Sequence, residues 1–130
     1  MIIDTSAIVS IFRLEPETDL FLGAIESAVE PRISVASYLE CMMVLDRLRD
    51  PVLSRKLDEF LEVSKIIVEP VTKEQASIAR RAWRDYGKGS GHPAQLNYGD
   101  LFAYALAAQR REALLYKGTD FAHTDVKSAI

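Results

Sequence analysis

Short apolar runs alternate with helical stretches along all 130 residues of the chain. Met1-Ile2-Ile3, Arg32-Ile33-Ser34-Val35, Ile66-Ile67-Val68 and Ala113-Leu114-Leu115-Tyr116 read as strands, and Asp125–Ala129 as a short edge strand. Continuous apolar runs belong to strands covered on both faces, the habit of parallel sheets flanked by helices. Strand–helix alternation therefore predicts an α/β fold: a three-layer α/β/α sandwich with a mainly parallel central sheet of 4–5 strands, in a single domain over residues 1–130.

The connecting stretches carry helical spacing. Helices are expected over 6–13, from Pro16 to about residue 29, from a Ser37 cap to about Arg49, from Pro51 to about Ser64, over 73–86 and over 98–111. Leu53, Leu57, Phe60 and Leu61 share one face of the fourth. Ala76, Ala79, Trp83 and Tyr86 share a side of the fifth, with Arg80, Arg81 and Arg84 on another. Gly87-Lys88-Gly89-Ser90-Gly91-His92-Pro93 is a surface loop.

Charge narrows the function classes. A net charge of −3 and a pI near 5.4 argue against binding nucleic acid by bulk positive charge. A single cysteine, Cys41, allows no internal disulfide and fits a reducing compartment. Asp4 interrupts the apolar start, so no leader peptide is expected, and no run approaches a membrane span. The expected location is cytoplasmic.

Three acids stand alone. Asp4 is the only charge among residues 1–12, Glu40 the only one from Ile33 to Leu45, and Asp100 the only one from Gly89 to Gln109. An ionised group in apolar surroundings needs a partner or a metal. Asp4 ends the first strand, Glu40 follows the second in the first turn of a helix, Asp100 opens the sixth helix and Asp120 follows the fourth strand. In a parallel sheet such positions lie on one edge. Thr5 or Ser6 can cap the first helix and hold Asp4, and Asn97 can cap the sixth. Asp4 and the others could equally serve as helix caps or pair at long range. Asp125 is a fifth acid nearby, read as solvated.

Carboxylates crowded together repel, and a divalent cation relieves the repulsion. Oxygen donors suit Mg²⁺, with Mn²⁺ as a substitute. Zinc prefers His and Cys, of which the chain has two and one. Such a cluster suits phosphodiester hydrolysis, in which bound metal activates water and stabilises the leaving oxygen. No Walker A spacing or catalytic triad offers another route.

The ordered set Ile-Ile-Asp-Thr-Ser-Ala, Ser-Tyr-Leu-Glu, Leu-Asn-Tyr-Gly-Asp-Leu-Phe-Ala-Tyr-Ala-Leu-Ala and Tyr-Lys-Gly-Thr-Asp-Phe resembles the PIN domain, and within it the VapC toxins of type II toxin–antitoxin modules. The resemblance implies a magnesium-dependent endoribonuclease that arrests growth. Asp4, Glu40, Asp100 and Asp120 would be the catalytic, metal-binding acids, Asp4 and Asp100 most directly, with Thr5 or Ser6 supporting. It also implies a homodimer and a VapB-type antitoxin covering the acidic pocket; the helices Pro16–Ala28 and Pro51–Ser64 are read either as walls of that groove or, for most of their apolar residues, as plain core.

RNA must still approach an acidic pocket. Arg80, Arg81, Arg84 and Lys88 form a basic stripe, read either as a backbone-phosphate contact or as a solvated helix face. The alternative function is a catalytically inactive PIN-like module acting through its partner. Intact acids at all four positions argue against it. A phosphoryl-receiver domain ranks lower, because the third strand ends Val68-Glu69-Pro70 without an aspartate.

Overall fold

The computed structural model describes residues 1–47 and 50–130. Its strands are β1 (Ile2–Ile3), β2 (Arg32–Ser34), β3 (Ile67–Glu69) and β4 (Leu114–Leu115). Its helices are α1 (Thr5–Phe12), α2 (Thr18–Ser27), α3 (Val35–Asp46), α4 (Pro51–Val63), α5 (Lys73–Tyr86) and α6 (Asp100–Arg110), followed by a 3₁₀ turn at Phe121–His123. The strands form one parallel sheet in the order β3-β2-β1-β4. Ile2 stands beside Arg32 and Leu114, and Ile3 beside Ile33 and Leu115.

Alternation along β1 explains the three layers, because successive side chains leave opposite faces of a strand. Ile3, Ile33 and Leu115 point to a core filled by Ile8, Phe21, Leu45, Leu57 and Leu61 from α1 to α4. Ile2 and Leu114 point to a second core with Leu96, Leu101, Tyr104, Leu106 and Ala107, mainly from α6. Cys41 is buried in the first core, and burial pushes its thiol up to about 12, which makes it a packing residue.

Several element ends differ from expectation, each for a local reason. α3 starts at Val35 because Ser34, not Ser37, supplies the cap: its hydroxyl accepts from the Ala36 amide. Ser37 is buried inside the helix, and the expected end at Arg49 lies outside the described residues. α2 begins two residues after Pro16, at Thr18. The fifth strand reduces to one parallel bridge, Leu114 to Ser128, with Ala129 N–H donating to Leu114 O at 2.9 Å. The apolar side of α5 divides. Gln75 and Ala82 are buried and Tyr86 packs on the core, Ala79 both packs on it and lines an open groove, and Ala76 and Trp83 line that groove. No helix among the described residues is long and apolar enough to cross a membrane.

At the amino ends of the strands, Arg32 is held by Glu69 at 2.6 Å and Glu30 at 2.5 Å, with its Nε 3.6 Å from Glu112. Arg110 also reaches Glu69, and the Met1 amino group pairs with Glu112. This network ties the starts of β1, β2 and β4 to Glu69 at the end of β3.

Candidate active site

Parallel strands deliver the residues after them to one edge. Asp4 comes directly after β1 and is itself the cap of α1: its Oδ2 accepts from the Ser6 amide at 2.9 Å and from the Ser6 hydroxyl at 2.6 Å. Neither Thr5 nor Ser6 is the cap. The two readings of Asp4, helix cap and site acid, hold together, since the capping carboxylate also lines the cavity. Ser6 Oγ in turn accepts from the Lys117 amide at 2.9 Å, which ties the segment after β4 to the start of α1.

Glu40 is the sixth residue of α3, hence in its second turn. Thr5 Oγ1 donates to Glu40 Oε2 at 2.7 Å and lies 3.3 Å from Ser37 O. Asp100 begins α6. Its amide donates to Asn97 Oδ1 at 3.1 Å and its Oδ2 accepts from the Asn97 amide at 2.7 Å, a reciprocal pair that fixes the carboxylate, although the N-cap of α6 is Gly99 and not Asn97. Asp120 immediately precedes the 3₁₀ turn.

All four acids line one cavity of about 320 Å³, with Thr5, Ser6 and Asn97 beside them. Their charges feel one another. Asp4 is raised above the usual carboxylate range, first by burial and then by the charge of Glu40, against the hydrogen bonds from Ser6. Asp100 is pushed up to about 7. Burial is the first cause, the bond from Asn97 opposes it, and the charges of Asp4, Asp120 and Glu40 all add to it.

The donor set fits a hard divalent cation, being oxygen alone and strongly negative. His92 and His123 do not line this cavity. Among the described residues no three acids, histidines or cysteines already close on a single point. The acids instead ring a space wide enough for a partly hydrated ion. Mg²⁺ suits that arrangement, since it keeps several waters and takes one or two carboxylates directly.

Other expected residues fall elsewhere. Arg80, Arg84 and Lys88 are exposed and none lines the acid cavity; Arg84 pairs with Asp85 at 2.9 Å, and Arg80 borders the groove on α5. Asp125 accepts from the Tyr104 hydroxyl at 2.7 Å, outside the cavity. The pocket is walled by Val9 of α1, by Arg13 just after it and by Val44 of α3, while Phe21, Ile25, Leu57 and Leu61 of the second and fourth helices are core.

Three contributors carry no clear mark in the sequence: Arg13 and Lys117, which line the cavity, and Gly99, packed against Glu40. Lys117 Nζ donates to Glu15 and Glu17 at 2.8 Å each. Lys117 stands three residues before Asp120 and Gly99 immediately before Asp100, so nearness to the acids was the available signal.

Comparison with known proteins identifies the family. The PIN domain family model matches residues 1–127. Ribonuclease VapC28 of Mycobacterium tuberculosis is 55% identical over 130 residues, covering 100% of this chain and 98% of that protein. Among solved structures, a toxin–antitoxin complex from Klebsiella pneumoniae superposes with a TM-score of 0.72 at 19% identity, over 99% of this chain and 97% of that one. Mycobacterium tuberculosis VapC20, described as a sarcin–ricin loop cleaving toxin, gives 0.71 at 15% identity, over 97% and 98%. With strand order, acid placement and full-length similarity in accord, this chain is a member of the PIN-domain family and, within it, of the VapC group.

Proposed function

We propose that the protein is a magnesium-dependent endoribonuclease, the toxin of a type II toxin–antitoxin module that inhibits translation and growth by hydrolysing RNA. The observation that carries this reading is the gathering of Asp4, Glu40, Asp100 and Asp120 around one cavity at the carboxyl edge of the sheet. The full-length similarity to a VapC ribonuclease supports it.

Asp4 and Asp100 would hold the cation most directly, with Glu40 and Asp120 completing the ring; Mn²⁺ would substitute. Bound there, the ion would lower the pKa of a water and neutralise charge developing at phosphorus. The chain's own part is positioning. Ser6 fixes one oxygen of Asp4, Thr5 fixes one oxygen of Glu40, and Asn97 fixes one oxygen of Asp100. Arg80, Arg84 and Lys88 would contact RNA phosphates away from the cavity.

The partners belong to the same reading: a VapB-type antitoxin and a second copy of the chain, in the cytoplasm. We assign self-association to an apolar strip where two hollows of about 540 and 310 Å³ meet, sharing Tyr98 and Phe102. Trp83, Leu39 and Met43 flank it, each with about half its surface exposed.

Magnesium-dependent cleavage of RNA by the purified chain, lost in Asp4→Asn and Asp100→Asn, tests the activity. Cleavage sites mapped on total cellular RNA after induction identify the target. A chain that binds its antitoxin yet cleaves no RNA with any divalent cation would be the inactive binding module instead.

A further inference from the structure

Six carboxylates crowd the mouth of the site: the four acids of the cavity and, at its edge, Glu15 and Glu17. A polyanionic strand therefore needs cations there. The cavity itself supplies two, Arg13 and Lys117.

Their placements differ. Lys117 is fixed twice, through its amide to Ser6, which holds Asp4, and through its ammonium to Glu15 and Glu17. Its charge is thus kept at a set position relative to the acid ring. Arg13 caps the far end of α1 with its amide on Val9 O at 3.0 Å, and its side chain is exposed. Among the described residues it forms no ion pair with a carboxylate. At about 1.5 Å per residue, α1 separates Asp4 from Arg13 by roughly 13 Å along the axis. The Arg13 backbone thus lies a helix length from Asp4, while its side chain lines the same cavity and its charge acts on Glu15.

We propose that Lys117 and Arg13 seat two phosphates of the RNA strand, Lys117 the one presented to the four acids and Arg13 a neighbouring one, so that the strand runs along α1. The proposal rests on the ribonuclease reading above. It gives the near contacts that the distant stripe on α5 does not supply.

Cleavage and binding of a labelled single-stranded RNA by the full chain test it, with Arg13→Ala and Lys117→Met. Cleavage kinetics are measured in the otherwise native protein and binding in an Asp100→Asn background, both from 50 to 200 mM salt. Each substitution should raise KM and weaken binding several-fold, and lower the slope of log affinity against log salt by about 0.7, the value for one single-strand phosphate contact. Manganese binding, measured calorimetrically with the metal alone on the native background, should not weaken. Lys117→Arg and Arg13→Lys should restore the slope, which separates lost charge from lost folding. A wild-type protein that cleaves RNA while both charge-removing variants keep its KM and salt slope overturns the proposal and leaves the activity standing. A wild-type protein that cleaves nothing overturns both.

Discussion

Gly99 lies so close to Glu40 that a Cβ on it would stand 2.8 Å from Oε1 and 2.9 Å from Oε2. The backbone of Gly99 is ordinary helix, with φ −63°, so glycine is required there for space and not for conformation. A Cβ there would push the Glu40 carboxylate aside and disturb the 2.7 Å bond that Thr5 makes to Oε2, one of the two oxygens it would meet. Gly99→Ala is expected to leave the fold intact and displace the Glu40 carboxylate. A shift of about 1 Å at a reacting centre can cost on the order of 100-fold in rate. Cleavage kinetics beside an unchanged circular dichroism melt check this, and an unchanged rate would refute it.

Asp100 makes the metal-free protein pH-sensitive. Its carboxyl sits at about 7 in the fold against 3.8 in an unfolded chain, so between these values the folded state binds more protons. Its contribution to stability therefore falls as pH rises from about 4 to about 7. Asp100→Asn removes that contribution. The gap in melting temperature between variant and wild type, without divalent cation, should widen in the variant's favour across this interval. A constant gap would show that Asp100 does not titrate there.

Divalent metal should act in the opposite sense. A cation that binds the folded state alone stabilises it, by about 2.7 kcal/mol at a hundredfold excess over Kd. Wild-type protein should melt higher in Mg²⁺ than in EDTA, and Asp4→Asn and Asp100→Asn should lose most of that gain. Since the proton on Asp100 competes with metal, apparent affinity should fall as pH drops below about 7. Calorimetric titration at several pH values measures both effects.

Arg32 ties the start of β2 to Glu69 at the end of β3. It is 9% exposed and contacts Glu30, Glu69 and Glu112. Arg32→Met leaves those acids short of a cation. Removing one partner of a buried pair costs about 3–5 kcal/mol, and the lower end applies because Arg110 still reaches Glu69. Urea unfolding should show a lower midpoint, with metal affinity of the folded fraction preserved.

Leu39→Glu places a charge on the apolar strip beside Tyr98 and Phe102. Sedimentation should shift from dimer to monomer, with the thermal melt of the monomer retained. A dimer that survives the substitution would move the interface to another face.

The sheet and the acid ring were legible because both derive from chain direction. A strand that ends in an acid and a helix that opens on one need no long-range knowledge. Asp4, Glu40, Asp100 and Asp120 could be placed on one edge from strand order alone. Arg13 was hidden because it is a helix length from the acid it accompanies. Gly99 was hidden because crowding between α3 and the start of α6 has no local signature. Trp83 misled in the other direction: its helical spacing suits a core face, but Gln75 and Ala82 occupy that face and leave Trp83 on a groove. Ser37 misled because Ser34, three residues earlier, is an equally good cap and stands at the strand's end.

β1 contains two residues, and the first acid comes immediately after them. No spacer lets the scaffold tolerate error before the chemistry begins. A single-residue slip of that strand against its neighbours would exchange Ile2 with Ile3 between the two cores and carry Asp4 out of reach of Asp100. The register of β1 and the placement of its acid are thus the same property in this molecule. A ligand that merely prised Leu115 away from Ile3 would disarm it as fully as one that occupied the cavity.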